Sequence, residues 1–296
     1  MQVTITEIGI DRNFEMPSVP IVLSKILQLV DDDKASARRL EELILHDPSL
    51  SARILKLSNS AFYSFRSEVK TISHAIALLG LNLVRSLAIG VSIFESFTKG
   101  LRDEAAQINQ LWMHSCAVGL ISHEIWSRRQ TRNHAEFALL CGLLHDLGKV
   151  VYFKKDGMRY SHLFGREKGP DDPDISTLEI ENYGTDHAAI GAVLTKQWNL
   201  PADLSTAIRH HHSQGVAGLP LVASVAMADF VTKQAGIGYD GDCKVPGNVE
   251  TLRTLLKMGQ KEIESHAILA NDKRADMEEF FRMIPHDAYK SRQAWN

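Results

Sequence analysis

His145 and Asp146 stand side by side in an otherwise apolar stretch from Ala138 to Val151, a setting that offers an imidazole and a carboxylate no water. Taking such groups out of water uncompensated costs on the order of several kcal/mol, so hydrogen bonds or a metal ion must offset the burial. Similar groups punctuate other apolar runs. They are His114 after Leu111, Trp112 and Met113, His187 before Ala188, Ala189 and Ile190, the run His210, His211 and His212, and Asp229 after Ala226, Met227 and Ala228. Imidazole nitrogens combined with carboxylate oxygens suit zinc, iron, manganese or nickel better than calcium, which prefers oxygen alone. The set is predicted to hold one or two divalent transition-metal ions. A structural pair that pins neighbouring helices through hydrogen bonds would meet the same demand at His145 and Asp146. Lys149 follows Asp146 by three positions and His145 by four, so on a helix it shares their face and could aim at a bound phosphate or at water.

The elements that must position these groups read as helices. Leu23, Ile26, Leu27 and Val30 mark one apolar face, Leu40, Leu43 and Ile44 a second, and Leu50, Ile54 and Leu57 a third that starts at an Asp47 cap with Pro48 in its first turn. Residues 75–94 are apolar enough to suggest a membrane span, but Gly80, Asn82, Arg85 and Ser86 interrupt them, so two buried helices joined by a short turn are expected. The stretch from Ala138 to Val151 is expected to be helical throughout. Further helices are expected around 185–198, from 202 toward the histidine run, over 219–233, and over 249–268 and 275–284. Loops fall at 164–176 and 236–247. No stretch shows the sustained alternation that a half-buried strand requires.

The ordered set resembles the HD superfamily of metal-dependent phosphohydrolases, in which a histidine precedes a His-Asp pair, later histidines and a closing aspartate. His145 to Lys149 is similar to the HD-GYP branch. A second resemblance is more specific: Met16 to Pro20, Asp47 to Ser60 and Thr71 to Gly80 resemble the N-terminal half of an HDOD domain, the HD-related output domain of bacterial signalling proteins.

These resemblances imply an all-α fold with an N-terminal segment (1–15), an HDOD domain (16–232) and a C-terminal helical extension (233–296). The domain divides into an N-terminal helical lobe (16–100) and an HD-like metal-site lobe (101–232). They imply the metal set His114, His145, Asp146, His187, His211, His212 and Asp229. Ile208, three positions before the pair, selects His211 and His212 over His210. Asp146 and Lys149 take the catalytic roles if the site turns over. The implied function is a signal-transduction output module that acts by protein or ligand binding and retains its metal site. The alternative is a metal-dependent phosphohydrolase acting on a nucleotide or phosphate ester. Against HD-GYP activity, Ser213 to Pro220 supplies neither the glutamate nor the Gly-Tyr-Pro element that follows the double histidine there, and Gln110 stands where some members carry a ligand glutamate.

Length and composition bound the rest. The 296 residues suffice for a large core, and 33 basic against 36 acidic side chains give a net charge of -3, with no global drive toward nucleic acid. Residues 82–94 offer mainly Asn82 and Arg85, too little for a recognition helix. Arg128, Arg129 and Arg132 read as a solvated helix end, with an anion or partner site as the alternative. Cys116, Cys141 and Cys243 form no paired spacing, and the N-terminus lacks the basic head and apolar run of a secretory signal, so a cytoplasmic protein is expected. The expected partner is a signalling protein or a small phosphate-containing ligand, with neither nucleic acid nor membrane involved.

Overall fold

The computed structural model describes residues 21–27, 33–59, 68–129, 135–166, 169, 172–213, 219–242 and 249–282, and among them every regular element is a helix. Met16 to Pro20, Ser60, Arg132 and Cys243 lie outside the described residues. The chain divides into two compact units; among the described residues, 21–99 together with 273–282 belong to one and 100–272 to the other.

The first unit carries α1 (Ile21–Leu27), α2 (Asp33–Leu45), α3 (Pro48–Ser58), α4 (Ile72–Leu79) and α5 (Leu81–Thr98). Asp47 caps α3 by accepting the amides of Ser49 and Leu50 at 2.9 and 3.1 Å, and Leu50, Ile54 and Leu57 are buried on its inner side. Thr71 caps α4 in the same way. Gly80 joins α4 to α5 at φ +88, a conformation that side chains disfavour. Arg53 and Ser49 of α3 both reach Glu95 of α5. These two helices therefore share a polar tie beside their apolar seam.

The second unit holds α6 (Ala105–Arg129), α7 (Ala135–Leu144), α8 (Leu147–Phe164), α9 (Ile175–Tyr183), α10 (His187–Gln197), α11 (Ala202–His210), α12 (Pro220–Gln234), α13 (Val249–Leu255) and the start of α14 (Gln260–Arg282). α6 packs against α7 and α12, while α10 packs against α8 and α11. Glycine permits the closest approaches. A Cβ on Gly142 would stand 2.6 Å from the Gly119 Cα, and one on Gly148 would overlap the His187 carbonyl. The α6–α7 and α8–α10 backbones thus meet where His114, His145, Asp146 and His187 must converge.

Two expectations are corrected. The stretch from Ala138 to Val151 is two helices, with His145 and Asp146 in the turn between α7 and α8. The His145 ring bonds back to the Gly142 carbonyl and Asp146 adopts φ -100, ψ 12, so both side chains are turned inward by leaving the helix. Similarly, 249–268 is broken at Leu256 to Gly259, where Lys257 takes φ +51, and α14 then runs without interruption through the gap expected before 275. The basic cluster is engaged in its described part: Arg128 pairs with Glu124, and Arg129 with Glu262.

Candidate metal centre

Three histidines are oriented by the same device. The Nδ1 of His145 lies 2.7 Å from the Gly142 carbonyl, that of His211 lies 2.7 Å from the Ile208 carbonyl, and that of His187 lies 2.6 Å from Glu179 Oε2. A carbonyl oxygen can only accept, so Nδ1 carries a proton in His145 and His211, and Nε2 is the ring atom each turns toward the cluster. A metal-ligating histidine is held in this manner by its outer hydrogen bond.

The Nε2 atoms converge on Asp146. Its Oδ2 lies 3.2 Å from His145 Nε2, and its Oδ1 lies 3.2 Å from His187 Nε2 and 3.7 Å from His211 Nε2. His212 Nε2 is 3.0 Å from His187 Nε2. On the other side, His114 Nε2 is 3.0 Å from Asp229 Oδ1. These contacts are close but not aligned: His114 Nε2, His145 Nε2, His211 Nε2, Asp146 Oδ1 and both Asp229 oxygens are buried without a hydrogen-bond partner. Donor atoms left unspent in this way ordinarily cost stability, and a cation would satisfy them together. Two compact donor groups result, Asp146 with His187, His211 and His212, and His114 with His145 and Asp229, and a third, His114 with Asp146 and Asp240, overlaps both. The donor set fits a divalent transition metal in type, spacing and orientation.

Burial is nearly complete. His114, His145, Asp146, His187, His211 and Asp229 are at most 1% exposed, and only His212 is half-buried. His210 is exposed and bonds Ser213 instead. An apolar cleft of about 480 Å³, lined by Trp126, Phe137, Pro201, Leu219 and Val222, contains none of these residues.

Opposite charges are paired within the same core. Lys149 Nζ lies 2.8 Å from Asp146 Oδ2 and 2.9 Å from Asp240 Oδ2, while Lys233 Nζ lies 3.1 Å from both Asp229 Oδ2 and Asp240 Oδ2. Burial pushes each of these groups toward its neutral form, and the opposite charges override it. Asp146, Asp229 and Asp240 are held well below the usual carboxylate range, and both lysines are raised. Burial likewise works to depress His187, but the adjoining Glu179 carboxylate raises its pKa to about 9. For His211 burial outweighs the upward pull of the Asp146 carboxylate and lowers the pKa to about 4.

All seven residues of the expected metal set meet in this one core. Lys149, expected to face phosphate or water, is fully buried and committed to two carboxylates. Three residues of the site were not anticipated. Glu179 stood in view as the i+4 member of the stripe Ile175, Leu178 and Glu179, and Lys233 as the i+4 partner of Asp229. Asp240 had no local signal, since it lies in a glycine-rich loop.

A helical domain with a buried His/Asp cluster defines the class. The HDOD domain family model matches residues 16–214, and the chain belongs to that family. Its structure is similar to that of an HDOD domain protein of unknown function from Geobacter sulfurreducens, with a TM-score of 0.69, 25% identity and 93% of each chain covered. It also resembles a provisionally assigned phosphohydrolase from Shewanella amazonensis SB2B, with a TM-score of 0.67 and 24% identity over 91% of this chain and 95% of that one. An uncharacterized protein of Treponema pallidum (strain Nichols) is 27% identical over 231 residues, 75% of this chain. The chain spans 43% of that relative's length. No helix among the described residues is long and apolar enough to cross a membrane.

Proposed function

We infer that this chain is an HDOD-type output module that has kept an HD-type metal centre and works by binding a protein or small ligand. The observation that carries this reading is that His114 Nε2, His145 Nε2, His211 Nε2 and Asp146 Oδ1 are at once without a hydrogen-bond partner and buried. Unspent donors call for a cation, and burial keeps that cation from a substrate. His114, His145, Asp146, His187, His211, His212 and Asp229 would hold one or two divalent ions of iron, manganese, zinc or nickel. The bound metal would lock the helices that present those side chains. The partner is a signalling protein or a phosphate-containing ligand in the cytoplasm, and the buried reduced thiols of Cys116 and Cys141 accord with that compartment.

One observation favours a second reading, a metal-dependent phosphohydrolase. The two donor groups adjoin at His145 and Asp146, as a two-metal site requires. Paired metals supply an activated water and stabilise charge on phosphate oxygens. In that case Asp146 would be among the residues that hold them, and Lys149 would have to leave its carboxylates to reach a phosphate. Elemental analysis of protein purified without chelating resin, followed by a phosphate-ester hydrolysis assay of the same protein, separates the readings. The module reading expects at least one divalent ion per chain, lost in Asp146→Ala, with no hydrolysis of phosphate esters by either protein. Metal-dependent turnover by the wild type would replace it with the second reading.

A further inference from the structure

Asp240 lies beyond the family match, in a loop held from several sides. The Tyr239 amide donates to the Gln110 carbonyl at 3.1 Å, and Asp242 Oδ2 accepts the Ile175 amide at 3.0 Å. Gly238, at φ +65, runs so close to α6 that a Cβ would overlap the His114 amide and the Gln110 carbonyl. The loop therefore fixes Asp240 against the helix that bears His114. The Asp240 carboxylate is fully engaged: Oδ1 accepts the Asp242 amide at 3.2 Å, and Oδ2 takes both Lys149 and Lys233.

Each of those lysines also holds a second carboxylate, and the two are the candidate ligands Asp146 and Asp229. A dication drawn to Asp146 and Asp229 thus competes with two buried ammonium groups. Once it takes those carboxylates, the ammoniums need an anion that stays in place. Asp240 is the acid common to both.

Resting on the metal reading above, we propose that Asp240 is a positioning residue of the metal centre. It retains Lys149 and Lys233 when the cation displaces them from Asp146 and Asp229, and it is not itself a ligand. Three carboxylates against two ammoniums leave one net negative charge to attract the dication. With asparagine at 240 that charge is gone, and the neutral amide oxygen left there holds both ammoniums less firmly against the incoming ion.

The test is cobalt(II) binding to the whole chain, read by chelator competition and by the visible ligand-field bands. It compares wild type, Asp240→Asn and the charge-compensated Asp240→Asn/Lys233→Met. Outer residues of a metal site are ordinarily worth about 10–100-fold in affinity. Asp240→Asn is expected to bind at least tenfold more weakly with unmoved bands, and the double variant to recover most of the loss. Rescue by removing a lysine is a result that a merely structural role does not give. Wild-type affinity in Asp240→Asn, shifted bands, or a double variant that stays weak or unfolded overturns the inference. Should circular dichroism show the single variant unfolded, the double variant decides alone: cobalt binding near wild type supports the proposal and its loss overturns it. Wild type that takes up no cobalt sinks the metal reading and this inference with it, whereas wild-type uptake with an unaffected Asp240→Asn sinks this inference alone.

Discussion

Glu179 Oε2 sits 2.6 Å from His187 Nδ1 and 2.7 Å from the His187 backbone nitrogen, so one carboxylate oxygen fixes both the ring and the start of α10. Its other oxygen accepts the Tyr160 hydroxyl at 2.5 Å. The acid is locked from both ends and passes that rigidity to the histidine.

This relationship gives metal uptake a direction in pH. The cation must displace the second ring proton, on Nε2, which the Glu179 carboxylate at Nδ1 helps the ring retain by raising the His187 pKa to about 9. Apparent affinity is therefore expected to rise as pH climbs from about 6.5 toward 9, by up to about tenfold per unit. In Glu179→Gln the rise should end at a lower pH, with the plateau about tenfold weaker because the ligand is less well held. Chelator competition at several pH values measures both. For the metal-free protein the sign is opposite: the His187–Glu179 pair stabilises the fold fully below about pH 6.5, and that share is lost as pH rises to about 9.

A backbone contact sets the next expectation. A Cβ on Gly148 would overlap the His187 carbonyl, so Gly148→Ala must push α8 and α10 apart where Asp146 and His187 meet. Overpacking of this kind costs about 1–3 kcal/mol, and urea unfolding should show it together with reduced metal content. Gly259→Ala, at a site with nothing within 4 Å, serves as the control and should change stability by less than about 0.5 kcal/mol.

How much of this was legible depends on which residues carried a local signature. Asp47 before Pro48, Thr71 at the start of α4 and the apolar stripes announce helices because capping and burial are local physics. The chemical core was legible because histidines and aspartates are costly in apolar runs and so stand out. What sequence could not show is convergence from afar. Asp240 sits 91 positions from Lys149, and the Gly142–Gly119 and Gly148–His187 approaches are readable only once helices are packed. The break at His145 and Asp146 was hidden for another reason. The surrounding leucines favour helix on both sides, and the side-chain bond from His145 to Gly142 overrides that propensity.

His266, on α14, is 1% exposed with neither ring nitrogen hydrogen-bonded, and burial followed by the charge of Arg128 lowers its pKa to about 4. The folded protein keeps this ring neutral while the unfolded chain protonates it near pH 6.5, so its contribution is intact above about 6.5 and lost as pH falls toward 4. Allowing for solvent screening, the residue should account for about 1–2 kcal/mol of acid sensitivity. Urea unfolding at pH 7.5 and pH 5 should show a smaller difference for His266→Leu than for wild type. An unchanged difference would show that other groups govern the acid limb.

The last expectation concerns turnover. Ligation requires only that side chains reach the ion, whereas catalysis also requires a phosphate held in line with an activated water. Here the ligating atoms are buried, Lys149 is spent on Asp146 and Asp240, and the residue after His212 is Ser213 with no Gly-Tyr-Pro element following. Cyclic dinucleotide hydrolysis is therefore expected to be absent or very slow even in metal-loaded protein. Wild type and Asp146→Ala should differ in metal content and not in hydrolysis of cyclic dinucleotides or simple phosphate esters, assayed at controlled metal concentration. Rapid turnover by the wild type, abolished in Asp146→Ala, would mean that the core opens to substrate in solution and that Lys149 exchanges its carboxylates for phosphate. The output-module reading would then give way to the enzyme.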